Sequence, residues 1–398
     1  MQLSSEGFIV CFHFSLVKNA LKYKGLRILA YILILLVGLI TYLAFKEPVT
    51  RNEARGLPAN DDVETENSVK SKAAIENTQV ILEKSASKDE HYIVDCRDGL
   101  SKLYDEKEAT LYDDISYVET LITDKDTLPT KFVHAMVFAK NRENSENAVS
   151  LLTASLKKQP GNKLFNYALL LKCIDQAENQ LCNKQLADEA SKSDSENAAV
   201  WLLTATNAAS KGNISDVNLF LKKAVAAGEY NSYWAESVDM FDQALHSIGY
   251  DDDKGRIEAA VEYVAATTFP SFSELVHVCR VNAYERVDLA QNCLLAGGQM
   301  AAEGKTRFDQ VLGYSIQKAV YRALNDQNNL NEIDSALKKI TSVTEAEEKA
   351  RALMNFDIDL MHYWFEQIKT LGENESSQML VEEAARLSMN SGYNPCAK

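Results

Sequence analysis

Asn197–Gly228 reads NAAVWLLTATNAASKGNISDVNLFLKKAVAAG. Its apolar residues recur at intervals of three and four, in two blocks parted by Lys211–Gly212–Asn213. That period belongs to an amphipathic helix, so the stretch predicts a helical hairpin. Small residues at Ala205, Ala208 and Ala224 let two antiparallel helices approach closely. Trp201, Val217 and Leu221 fill the gap to the next pair.

A related pattern lies upstream in Ala148–Pro160, AVSLLTASLKKQP, with Ala148, Leu152, Ser155 and Pro160. Together the two segments resemble the tetratricopeptide repeat, a helix-turn-helix unit of about 34 residues. Trp201 matches its aromatic position, Ala205 its small crossing position and Gly212 its inter-helix turn. Val217, Leu221 and Ala224 match its second helix, and Ala148, Leu152, Ser155 and Pro160 match a second helix with its closing proline. Ala208 stands where the repeat has tyrosine, and the unit Lys163–Glu196 keeps the length but little of the consensus. The resemblance covers residues 144–228 and implies an α-solenoid, a fold whose known members bind protein partners.

Outward from this hairpin the helical period continues. Leu111, Ile115, Val118 and Leu121 carry it, as do Ile257, Ala260, Val261 and Val264, then Leu312, Ile316, Ala319 and Val320. Only 6 prolines and 16 glycines punctuate 398 residues, and no stretch alternates with period two between hairpin turns. The expected fold is all-α, with some twelve to fifteen helices built as hairpin repeats. One transmembrane helix precedes them.

That helix is Ile28–Phe45, ILAYILILLVGLITYLAF, 18 residues without a charge. About 20 apolar residues cross a bilayer core. A cleavable signal peptide would have a shorter apolar region followed by small residues, and YLAFKEP is not such a site. The basic residues Lys18, Lys22, Lys24 and Arg27 precede the span, which favours a cytoplasmic N-terminus. The chain divides into a cytoplasmic stub (1–25), a span (26–45), a polar linker (46–91) and an exported helical body (92–398). The expected location is a bacterial inner membrane, single-pass, with the body in the periplasm. This layout resembles that of proteobacterial envelope proteins with one N-terminal anchor and a helical-repeat body.

The net charge is −15, of which residues 1–45 contribute +3, leaving −18 on the rest. So acidic a chain has no basic face to neutralise phosphates, which argues against nucleic acid as a partner.

Six of the seven cysteines follow the span, and an even number in an exported body fits disulfides. On one helix Cys173 and Cys182 would lie ~13.5 Å apart along the axis, beyond the roughly 7 Å Cα reach of a disulfide. Pairing therefore demands a break between them, which the repeat register places there, with one helix ending at Cys173 and the next beginning at Cys182. Cys279 and Cys293 pose the same problem, solved if RVNAYERVDLAQN folds back and Cys293 starts the next helix. By elimination Cys96 and Cys396 could join the two ends of the body or remain free.

No GxGxxG, P-loop, HExxH or GxSxG motif occurs. His91, His134, His246, His277 and His362 are scattered, and no cysteine–histidine spacing suits zinc. No catalytic, cofactor-binding or metal site is expected. The glycines of Ala296–Gln299 are read as a close helix contact, and Asp251–Asp253 as a solvated turn capping the next helix. Two aromatic clusters are candidate walls of a partner groove: Tyr230, Tyr233 and Trp234, and His362, Tyr363 and Trp364. The expected function is a protein–protein interaction or assembly scaffold for envelope proteins. The alternatives are a helical small-ligand binder or enzyme, which would bury a cluster of converging titratable groups, and a non-catalytic signalling component.

Overall fold

The computed structural model describes residues 92–397 apart from 101–114, 140–146, 176–178 and 268–269. The expected stub, membrane span and linker therefore lie outside the described residues, as does Cys11. No described helix is long and apolar enough to cross a membrane.

The described residues are all-α, and the one β feature among them is an isolated parallel bridge between Asn197 and Glu229. The helices are α1 (Ile115–Asp124), α2 (Leu128–Val133, running into a π-helical turn at His134–Phe138), α3 (Ala148–Lys158), α4 (Lys163–Asp175) and α5 (Lys184–Lys192). Next come α6 (Ala198–Ser210), α7 (Ile214–Ala226), α8 (Trp234–Ser247), α9 (Asp253–Thr267), α10 (Ser273–Val281) and α11 (Val287–Glu303). The last five are α12 (Arg307–Ala323), α13 (Gln327–Thr341), α14 (Glu345–Met354), α15 (Ile358–Leu371) and α16 (Glu373–Ser388). The sixteen α-helices among the described residues exceed the expected twelve to fifteen, because elements as short as α2 and α5 carry too few apolar repeats to count singly.

The hairpin that opened the sequence reading forms as α6 and α7. α6 is buried on every side from Ala198 to Ala209, the mark of a central helix. Trp201 stacks on Phe220 of α7 at 6.2 Å, and its indole N–H donates to Ser195 O at 2.7 Å. Gly212 turns the chain with φ +68°, a conformation glycine adopts without steric cost. Side chains of Asn183, Asn197 and Asn213 cap α5, α6 and α7 by accepting from backbone N–H groups of the first turn.

Stacking does not follow chain order. α6 lies between α4 and α10, and α7 packs on α11, so the α10–α11 pair succeeds α6–α7 in space. The intervening hairpin α8–α9 leaves the stack: α8 packs on α2, and both α8 and α9 touch α15. α12 packs on both α10 and α11, and α13 follows α12. α14, α15 and α16 form a C-terminal group. The two ends of the described body meet, since Val94 N–H donates to Ser388 Oγ at 2.9 Å and Cys96 bonds to Cys396.

The other two disulfides staple hairpin mouths. Cys173 and Cys182 bond with Cα atoms 5.3 Å apart, between α4 and the cap of α5. Cys279 and Cys293 bond across the α10–α11 connection, Cα atoms 6.0 Å apart. Cys293 does not start its helix. α11 begins at Val287, because the link Asn282–Arg286 is tighter than the thirteen-residue loop the spacing suggested. Each short loop closed this way contributes about 2–3 kcal/mol by restricting the unfolded chain.

α11 and α12 make the most extensive helix contact. Their crossing point has no room for side chains: a Cβ on Gly313 would lie 2.4 Å from Ala301 N, and one on Gly297 would lie 2.8 Å from Gly313 O. The glycines in Ala296–Gln299 are thus the close helix contact expected. Helix propensity alone would make Gly313→Ala stabilising by about 1 kcal/mol. The backbone contact reverses the sign, and we expect a loss of about 1–3 kcal/mol, read as a lower urea midpoint. Gly161→Ala, where nothing lies within 4 Å, serves as the control.

Candidate functional site

The connection from α7 to α8, Glu229–Tyr233, starts at the surface and turns Tyr230, Ser232 and Tyr233 into the interior. Its backbone is paired like a short strand. Ala198 N–H donates to Glu229 O at 2.7 Å, and Glu229 N–H donates to Glu196 O at 3.1 Å. Asn197 clamps it from the N-terminus of α6. Its Nδ2 donates to Asn231 O and to Asp194 Oδ2, both at 2.9 Å, while its Oδ1 accepts from Asn231 N–H at 2.9 Å. Asn231 Oδ1 in turn accepts from Tyr233 N–H at 2.9 Å.

Two carboxylates flank this connection. Asp309, 2% exposed, is the inner member of a capping box with Thr306 at the start of α12. It accepts from Thr306 Oγ1 at 2.7 Å, Ser232 Oγ at 2.9 Å and Tyr230 Oη at 2.9 Å. All three donors are neutral. Burial pushes the Asp309 carboxyl above its usual range, and the Thr306, Ser232 and Tyr230 bonds offset only part of that.

Asp194 has a cation. Burial would push it up, but Lys163, Tyr233 and Asn197 outweigh burial and hold it below the usual carboxylate range. Lys163 Nζ lies 2.7 Å from Oδ1, and Tyr233 Oη donates to Oδ2 at 2.6 Å. Tyr233 sits at φ +55°, a left-handed conformation that costs a bulky residue roughly 1–2 kcal/mol. Its bonds to Asp194 and Asn231 hold it there. Tyr167 of α4 packs its ring 5.4 Å from that of Tyr233. Burial raises the phenols of Tyr167, Tyr230 and Tyr233.

Of the residues named for a partner groove, Tyr230 and Tyr233 are buried hydrogen-bond donors in this hub, and Trp364 is buried on α15. Trp234, His362 and Tyr363 are half-buried, on the touching helices α8 and α15. Neither Thr306 nor Asp309 is among the residues named from sequence, although Thr306-x-x-Asp309 carries the local signal of a capping box. Nothing local indicated that residues 77 and 79 positions earlier would cover it.

Beside the hub, Asn231, Ser232, Trp234, Glu236, Lys305 and Thr306 line a cleft with room for about 10 Å³, far below the roughly 300–1,000 Å³ of ligand pockets. An ion-pair network ties α12, α14 and α16 nearby. Glu347, almost buried, accepts from Arg307 Nη2 at 2.8 Å and Arg351 Nε at 3.0 Å, and Arg307 N–H donates to Glu373 at 2.8 Å. At Asp251–Asp253 the expected turn is present, with Asp253 opening α9 and paired with Arg256 at 2.6 Å. No group of three or more potential metal ligands occurs among the described residues.

No family, curated protein or solved structure matches this chain.

Asp309→Ala leaves three buried hydroxyls without their acceptor, and we expect a loss of about 3 kcal/mol in urea unfolding. The two carboxylates act oppositely with pH. Asp194, lowered in the fold, contributes stability above its ordinary value of 3.8 that is lost as pH falls toward its folded-state pKa. Asp309, raised, contributes stability below 3.8 that is lost as pH rises through its folded-state pKa. Urea midpoints taken between about pH 6 and pH 3 should therefore fall less steeply in Asp194→Asn than in the parent chain.

Proposed function

We propose that this chain is a membrane-tethered scaffold that holds envelope proteins together. Ile28–Phe45 anchors it in a bacterial inner membrane, and its periplasmic body is a tetratricopeptide-like solenoid modified by the displaced α8–α9 hairpin. The observation that carries this reading is the fate of the buried polar groups. Asp194, Asp309, Tyr230 and Tyr233 donate to and accept from neighbouring protein groups. Burial keeps the tyrosines protonated and Asp194 is held ionised, while Asp309, raised by burial, has its oxygens occupied by Thr306, Ser232 and Tyr230. Such a hub supports a rigid frame, and recognition then falls to the outer faces of the stacked hairpins.

Three disulfides favour an oxidising compartment. The resemblance at 144–228 and the observed pairing of α6 with α7, next to α4, favour the repeat assignment. The competing enzyme or ligand-binder reading expects converging buried titratable groups. The hub has these, but its adjoining cleft is too small for a substrate and its groups are already committed.

Chemical crosslinking in intact cells, followed by mass spectrometry of the purified chain, tests the proposal. We expect crosslinks from the body to other envelope proteins. Recovery of no protein partner, with a metabolite co-purifying instead, would sink the scaffold reading.

A further inference from the structure

The α10–α11 connection is the most concentrated apolar tip on the described surface. Val281, Tyr284 and Val287 lie within seven residues and are 54%, 65% and 74% exposed. Exposed apolar residues scattered singly are ordinary, but three on one turn form a patch.

The turn is rigid. The Cys279–Cys293 disulfide closes its base, Ala283 is tucked inside, Asn282 Nδ2 donates to Val278 O at 2.8 Å, and Arg286 N–H donates to Asn282 O at 3.0 Å. Asn325 Nδ2, from the α12–α13 turn, donates to Tyr284 Oη at 3.0 Å and props the ring outward.

The charges of the turn itself are Arg280 and Arg286 against Glu285 and Asp288, with His277 beside Arg280, and Lys222 of α7 lies near Asp288. Asp288 accepts from Asn218 Nδ2 at 2.6 Å in the first turn of α11. The tip is thus a neutral island on a chain whose residues 46–398 carry −18.

We propose that this tip beds into the headgroup region of a lipid bilayer. The inference rests on the anchored reading above. Valines enter the acyl boundary, a tyrosine suits the interface with its ring in and its hydroxyl wet, and arginines there reach lipid phosphates. A stable protein partner needs roughly 800 Å² from each side, more than three side chains supply. Lipid insertion has no such threshold once the body is already held near the membrane. The 46 residues from Lys46 to His91 span on the order of 150 Å at most. Such a tether turns a contact too weak for a free protein into an intramolecular one.

The test uses the full chain reconstituted in phosphatidylcholine nanodiscs with Tyr284→Trp as a reporter, the parent chain's tryptophan emission being subtracted. Bedding predicts a blue-shifted added emission, quenched by lipids spin-labelled near the headgroup. Adding Val281→Asp and Val287→Asp should abolish both effects while circular dichroism and the disulfide stay unchanged. Added emission that ignores the quencher in chain that co-purifies with nanodiscs overturns the tip proposal alone. A blue shift without quenching also overturns it, and points to a protein surface covering the tip. Chain that fails to enter nanodiscs after detergent removal overturns the anchored reading and the tip proposal with it.

Discussion

A carboxylate inside a protein must be met by donors or lose its charge, and Asp309 sets that demand at the centre of this molecule. Its donors come from the connection Glu229–Tyr233 and from its own helix cap. Meeting the demand turns Tyr230 and Ser232 inward, and Asn197 pairs with the half-buried backbone of Asn231 between them. The same segment then reaches Asp194, which binds Lys163 at the start of α4. One requirement thereby fixes the relative positions of α4, α6, α8 and α12. The left-handed Tyr233 is the local cost, offset by its bonds to Asp194 and Asn231.

This inward connection also accounts for the broken order of the stack. A solenoid normally adds each hairpin next to the last. Here α8 starts from a point committed to the interior, packs on α2, and leaves its place beside α6–α7 to α10–α11. The close crossing at Gly297 and Gly313 then seats α12 on α11, bringing Thr306 and Asp309 to the hub.

Much of the fold was legible because it is local. The period of three and four identified the helices, the small residues of α6 and α7 identified their hairpin, and helix rise forced a break between Cys173 and Cys182. The hub was not legible, because its long-range contacts join residues 31 to 79 positions apart. Tyr230 and Tyr233 look the same in sequence whether they face a partner or a buried carboxylate. The true start of α11 escaped for a different reason: the spacing Cys279–Cys293 fixes that a turn exists but not how tight it is.

The bond between Cys96 and Cys396 joins positions 300 residues apart in the chain and 5.4 Å apart in space. Mechanically it is a shunt. Tension applied between the polypeptide before Cys96 and the C-terminus passes through one covalent link and bypasses the helices enclosed by it. The body can then transmit force end to end without being unravelled by it. Only a load gripping the body between the two cysteines, at a face of the hairpins, would test the helix packing itself.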